Sequence, residues 1–134
     1  MDARFFGKTD PDRLSPLTLA FVGDGVFDLW VREALVSGGN RPVKELNEQK
    51  VAVVCCQAQA ALAEKIQPLL TEREADLYRR ARNAHVGHCP KNASPAEYHA
   101  ATAVEALVGW LYLKGDLPRI SELLSGILSD LSEP

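Results

Sequence analysis

Two acidic residues stand where a buried helix would ordinarily carry an apolar side chain. Residues 17–27 read Leu-Thr-Leu-Ala-Phe-Val-Gly-Asp-Gly-Val-Phe, with Asp24 between Gly23 and Gly25. Residues 100–112 read Ala-Ala-Thr-Ala-Val-Glu-Ala-Leu-Val-Gly-Trp-Leu-Tyr, and again a lone carboxylate, Glu105, interrupts the run. A carboxylate taken out of water must be paired, protonated or bound to a metal. One solution pairs each acid with an arginine. The other brings both acids together where two helices cross, as hard oxygen ligands for a divalent cation. Two carboxylates with room left for water suit Mg²⁺, with Mn²⁺ as a substitute, and such a centre activates water for attack on a phosphate. Interior glycines each cost about 1 kcal/mol against alanine, so Gly23 and Gly25 imply close approach of another backbone or of a ligand.

A second concentration of chemistry lies further along. Residues 77–93 carry Arg79, Arg80, Arg82 and Lys91, two histidines (His85 and His88), the amides Asn83 and Asn92, and no acid, in a chain of net charge −3. The overall charge argues against a general polycation, while a local basic stretch points to a directed contact with an anion. His85, His88 and Cys89 lack a second ligand pair at zinc-site spacing, which leaves loop polarity as the better account. Three cysteines, two of them adjacent (Cys55 and Cys56), suit free thiols in a reducing compartment, and those two read as small apolar residues of a buried helix.

The elements that must position these groups are helical. There is no sustained period-two alternation and no hairpin dipeptide between β-branched runs. Ser15-Pro16 opens a helix that runs to about Val36 and stops at Gly38-Gly39-Asn40. Pro42 begins a helical region broken near Lys50 and ending at Pro68. Thr71 with Glu74 and Ser94 with Glu97 are capping boxes, opening helices to about Ala84 and to Lys114-Gly115. Asp116 and Pro118 start a last helix to about Leu131, with an apolar stripe at Ile120, Leu123, Leu124, Ile127, Leu128 and Leu131. The expectation is an all-α domain of five to seven helices over residues 1–134, with its core at about 15–131 and no separate RNA-binding domain. No segment has the apolar length of a signal peptide or a membrane span, so the expected location is the cytoplasm, or an organelle stroma if a transit peptide was removed.

The run Leu19-Ala20-Phe21-Val22-Gly23-Asp24-Gly25-Val26-Phe27-Asp28-Leu29 resembles the signature helix of the ribonuclease III endonuclease domain, an acid-Phe-Leu-Gly-Asp-Ala-Val pattern. The stretch from Val104-Glu105-Ala106 to Leu113 is similar to its second catalytic helix. Arg79-Arg80-Ala81-Arg82-Asn83-Ala84 and Pro90-Lys91-Asn92 resemble segments of the short branch of that family, Mini-ribonuclease III, which lacks a double-stranded-RNA-binding domain. The chain departs from full-length members at Ala20 and Thr102, where two further carboxylates would stand; the short branch shares this departure. Asp28 lies one turn after Asp24 on the same face, which leaves two readings: a water-mediated role at the site, or, the better account, an ordinary, partly exposed acid.

The resemblance implies hydrolysis of phosphodiesters in double-stranded RNA, leaving 5′-phosphate ends, with Asp24 and Glu105 as catalytic metal ligands for Mg²⁺. It implies a homodimer formed largely through the signature helix, which offers a use for Gly23 and Gly25 and places Phe21, Phe27 and Trp30 either there or in the core. Arg79, Arg80, Arg82, Asn83, Lys91 and Asn92 would grip RNA, which proteins read in duplex form through shape, phosphates and 2′-hydroxyls. The short branch is associated with maturing the large-subunit ribosomal RNA precursor, with a ribosomal protein as a candidate helper. Two other classes compete: a non-catalytic RNA-binding or ribosome-assembly protein with the same fold, and a metal-dependent hydrolase of small nucleotides.

Overall fold

The computed structural model describes residues 4–84 and 94–128. The elements are α1 (Pro16–Val36), α2 (Val43–Val54), α3 (Cys56–Ile66), α4 (Glu72–Asn83), α5 (Pro95–Lys114) and α6 (Leu117–Leu124), with 3₁₀ turns at Pro11–Arg13, Gln67–Leu69 and Ser125–Ile127. The protein is all-α, and no strand occurs among the described residues.

Local chemistry explains the helix starts. The Ser15 hydroxyl accepts from the Thr18 amide at the head of α1, with Pro16 at the first position. Thr71 and Ser94 form reciprocal capping boxes with Glu74 and Glu97, which satisfy backbone donors that a helix start otherwise leaves bare. Gly115, at φ 84°, ends α5 in a left-handed cap.

Helix α5 is the centre of the molecule. It is apolar on almost every side, from Ala101 through Leu111, as a helix must be when neighbours surround it. Helices α1, α3, α4 and α6 pack around it. Helix α1 faces it with Leu19, Gly23, Phe27, Val31 and Leu35, every fourth residue, all buried. Its other side is also apolar yet exposed: Phe21 is 83% and Leu29 60% accessible.

Helix α6 is held by charge as well as by Ile120, Leu123 and Leu124. Arg119 donates from Nε and Nη2 to the two carboxylate oxygens of buried Glu74 at 2.9 and 2.8 Å, and from Nη2 to the Leu69 carbonyl. The fork lowers the Glu74 pKa, the hydrogen bond to Arg119 being the largest cause.

Three local expectations change. The break in the second helical region falls at Cys55, not near Lys50, because Cys55 adopts an extended conformation (ψ 160°) that ends α2 and starts α3. Cys55 and Cys56 are therefore half-buried junction residues, not the interior of a buried helix. The last α-helix closes at Leu124, where the chain tightens into the Ser125–Ile127 turn; Leu131 lies outside the described residues.

Candidate active site

The site is built by a backbone contact. A Cβ placed on Gly23 would lie 1.6 Å from the Glu105 carbonyl oxygen, and one on Gly109 would lie 2.0 Å from the Leu19 carbonyl oxygen. Helices α1 and α5 thus touch main chain to main chain, which only glycine allows. This contact puts Asp24, the residue after Gly23, beside Glu105, close enough for its charge to act on the Glu105 carboxyl group. The expected convergence of the two acids is present, and among the described residues neither is ion-paired to a cation.

The pair is electrostatically stressed. Glu105 is half-buried and Asp24 exposed. Burial, then the charge of Asp24 and the hydrogen bond to it, push the Glu105 pKa up to about 8 from 4.5, while a hydrogen bond from Gln59 pulls the other way. At neutral pH Glu105 therefore keeps its proton, beside a second hard oxygen-donor group. A divalent cation would replace that proton and relieve the repulsion, so these two residues fit such a group in both donor type and charge. Among the described residues no third His, Cys, Asp or Glu completes a cluster. Thr102 turns its hydroxyl to the Tyr98 carbonyl of its own helix at 3.0 Å, and Ala20 presents a buried methyl.

Gln59 is the site residue that sequence reasoning missed. It is 4% exposed on α3, and its Nε2 donates to the Val54 carbonyl at 2.9 Å and to Glu105 Oε2 at 3.4 Å. Its own Oε1 is buried with no partner among the described residues, a burden of about 1–3 kcal/mol. The signal was visible: Gln59 interrupts the apolar-rich stretch 51–63, as the two acids interrupt theirs.

Other candidates separate. Asp28 is bound to Arg32 at 2.5 Å and Lys50 at 3.2 Å, a surface network tying α1 to α2, as expected of an ordinary acid. A Cβ on Gly25 would meet nothing within 4 Å among the described residues, so close approach inside the fold accounts for Gly23 alone of the two; Gly23 itself is used against α5 and not on the outer face of α1. Phe27 is core at 1% exposure, Phe21 lies on the outer face, and Trp30 is half-buried with its Nε1 on Ser121 Oγ at 3.1 Å. Arg79, Arg80, Arg82 and Asn83 are exposed on the last turns of α4. Asp76 binds Arg79 at 2.5 Å and Arg80 at 3.0 Å, so the acid just before the basic stretch partly neutralises it. Lys91 and Asn92, like His85, His88 and Cys89, lie outside the described residues.

Comparison with known proteins shows the family of the chain. A Ribonuclease III domain model matches residues 17–116, spanning both carboxylate helices. The chain belongs to the ribonuclease III family. Within it, the chain is 47% identical over 115 residues to Mini-ribonuclease 3 of Symbiobacterium thermophilum, covering 86% of this chain and 88% of that protein. It is 42% identical over 111 residues to Mini-ribonuclease 3 of a Thermoanaerobacter species, covering 83% and 78%. A crystal structure of a protein from Fusobacterium nucleatum superposes with a TM-score of 0.80 at 29% identity, covering 90% of this chain and 98% of that one. Relatives of the Mini-ribonuclease III branch thus match most of the chain, and as a ribonuclease III family member the protein is an endoribonuclease.

Proposed function

We propose that this ribonuclease III family member hydrolyses phosphodiesters in double-stranded RNA, with a divalent cation held by Asp24 and Glu105, Mg²⁺ in the first instance and Mn²⁺ as a substitute. The observation that carries the reading is the convergence of two carboxylates at the Gly23–Gly109 crossing, where Glu105 is pushed to about 8. When bound, the cation supplies an activated water and a counter-charge for the phosphate. The chain's own residues do the rest. The crossing fixes the separation of the two carboxyl groups without relying on side-chain packing. Asp24 faces solvent and the incoming phosphate, while Glu105 anchors the inner side of the site. The exposed arginines Arg79, Arg80 and Arg82, with Asn83, Lys91 and Asn92, contact the RNA backbone.

The homodimer forms through the outer face of α1. Val22, Gly25, Val26 and Leu29 line one side of an apolar groove of about 520 Å³, and Phe21 stands exposed beside it. A contiguous exposed apolar surface of this kind marks a protein partner. The substrate assigned by family resemblance is the large-subunit ribosomal RNA precursor, in the cytoplasm, with a ribosomal protein assisting site selection.

Duplex RNA incubated with Mg²⁺ and either the wild-type or the Asp24→Asn protein tests the reading. Cleavage by the wild type, lost in the variant, is the expected result. Binding without cleavage by the wild type would instead make this a non-catalytic RNA-binding protein. Absence of both, with turnover of small nucleotides, would assign the acids to a different hydrolase.

A further inference from the structure

We propose that Gln59 is the positioning residue of the carboxylate pair, aiming Glu105 and fixing its affinity for the cation. The inference rests on the metal reading of Asp24 and Glu105 given above.

The argument begins at the α2–α3 junction. Because Cys55 is extended, the Val54 carbonyl at the end of α2 has lost its helical partner position. Gln59, one turn into α3, donates to that carbonyl at 2.9 Å. A carbonyl oxygen can only accept, so this bond decides which end of the Gln59 amide faces the junction. The same NH₂ group then points its remaining hydrogen at Glu105 Oε2, 3.4 Å away. With the amide locked this way, Oε1 is left buried and without a partner among the described residues. Rotating the amide would turn Oε1 onto the Val54 carbonyl, which cannot donate. An orphaned oxygen on a side chain that is 4% exposed is the mark of an orientation held for the sake of the other end. Asp24 approaches Glu105 from α1 and Gln59 approaches it from α3. The Glu105 carboxylate is thereby held from two sides, and a junction far from α1 in sequence is tied to the site through a single amide. Partners that orient metal ligands in this way commonly change metal affinity 10–100-fold when removed.

The test compares wild-type, Asp24→Asn and Gln59→Met proteins, methionine being close in volume but unable to donate. Mn²⁺ binding to the RNA-free proteins is read by the electron paramagnetic resonance signal of the free ion. Gln59→Met should bind Mn²⁺ about 10–100-fold more weakly than wild type, and Asp24→Asn should bind weakly or not at all. Duplex cleavage by Gln59→Met should return to the wild-type maximal rate once Mn²⁺ saturates, whereas a merely damaged fold would lower the rate at every concentration. Wild-type affinity in Gln59→Met alongside loss in Asp24→Asn would overturn the role of Gln59 and leave the metal reading intact. No binding by wild type, or unchanged binding by Asp24→Asn, would overturn the metal reading and this inference with it. Should Gln59→Met fail to fold, the wild-type protein decides: the side-chain amide resonances of Gln59 should move during a Mg²⁺ titration in step with binding, and amide resonances that stay fixed would overturn the proposal.

Discussion

Replacing Glu105 by glutamine should make the metal-free protein more stable above neutral pH, and the size of the gain follows from the site. In the folded chain Glu105 ionises only at about 8, against 4.5 for the free group, because burial and then Asp24 oppose its charge. Below pH 4.5 the group is protonated whether the chain is folded or not, and it contributes nothing to the difference. Between 4.5 and about 8 the folded state holds a proton that the unfolded state has released, so stability falls as pH rises through this window. Each pH unit is worth about 1.4 kcal/mol, so by pH 8 the cost approaches about 4 to 5 kcal/mol. That is a large part of the 5–15 kcal/mol by which a domain is usually stable. The amide of Glu105→Gln mimics the protonated acid, accepting from Gln59 and donating to Asp24, and it cannot ionise. Urea unfolding in EDTA at pH 5, 6, 7 and 8 should therefore give nearly equal stabilities at pH 5 and a widening advantage for the variant towards pH 8. Adding Mg²⁺ at pH 8 should narrow the gap by stabilising the wild type only. Parallel curves for the two proteins across this range would refute the electrostatic argument, because they would mean that Glu105 ionises freely in the fold.

The glycine crossing gives a sharper structural test: Gly23→Ala, whose new methyl would overlap the Glu105 carbonyl, should lower stability by at least about 1–3 kcal/mol in urea unfolding and abolish duplex cleavage by driving the carboxylates apart. Arg119→Met should cost about 3–5 kcal/mol at pH 7, since it strands the buried Glu74 carboxylate. Because Arg119 lowers the Glu74 pKa, that loss should shrink as pH falls through the acid range, and an equal deficit at pH 3.5 and pH 7 would exclude it. Asp76→Asn should tighten duplex RNA binding at low salt by releasing Arg79 and Arg80, as measured by fluorescence anisotropy. Neutralising Arg80, Arg82 and Lys91 together should flatten the salt dependence of binding by about one unit of log–log slope per lost phosphate contact.

Much of this was legible in the sequence because the relevant signals are local. Capping boxes at Thr71 and Ser94 and the proline at position 16 fix helix starts through bonds that span three residues. The two site acids stood out because an apolar helix carries a carboxylate only where something pairs, protonates or binds it. What the sequence does not carry is which elements meet. Nothing in the text of α3 says that Gln59 reaches an acid 46 positions away, and nothing in 77–93 reveals that the acid at position 76 folds back onto Arg79 and Arg80. The two glycines beside Asp24 look equivalent in the chain, yet a Cβ on Gly23 would strike another backbone, while one on Gly25 would meet nothing within 4 Å among the described residues. The difference is a matter of which way the helix is turned, and that is settled by the packing of Leu19, Phe27 and Val31 one and two turns away.

The main-chain contact between α1 and α5 also leaves the site no slack. Gly23 meets the Glu105 carbonyl and Gly109 meets the Leu19 carbonyl, two points about one helical turn apart, so both the distance and the crossing of the two helices are fixed there. The buried row from Leu19 to Leu35 extends that hold along α1. The spacing of the two oxygen donors is therefore set by peptide groups, which no change of side-chain rotamer can lengthen.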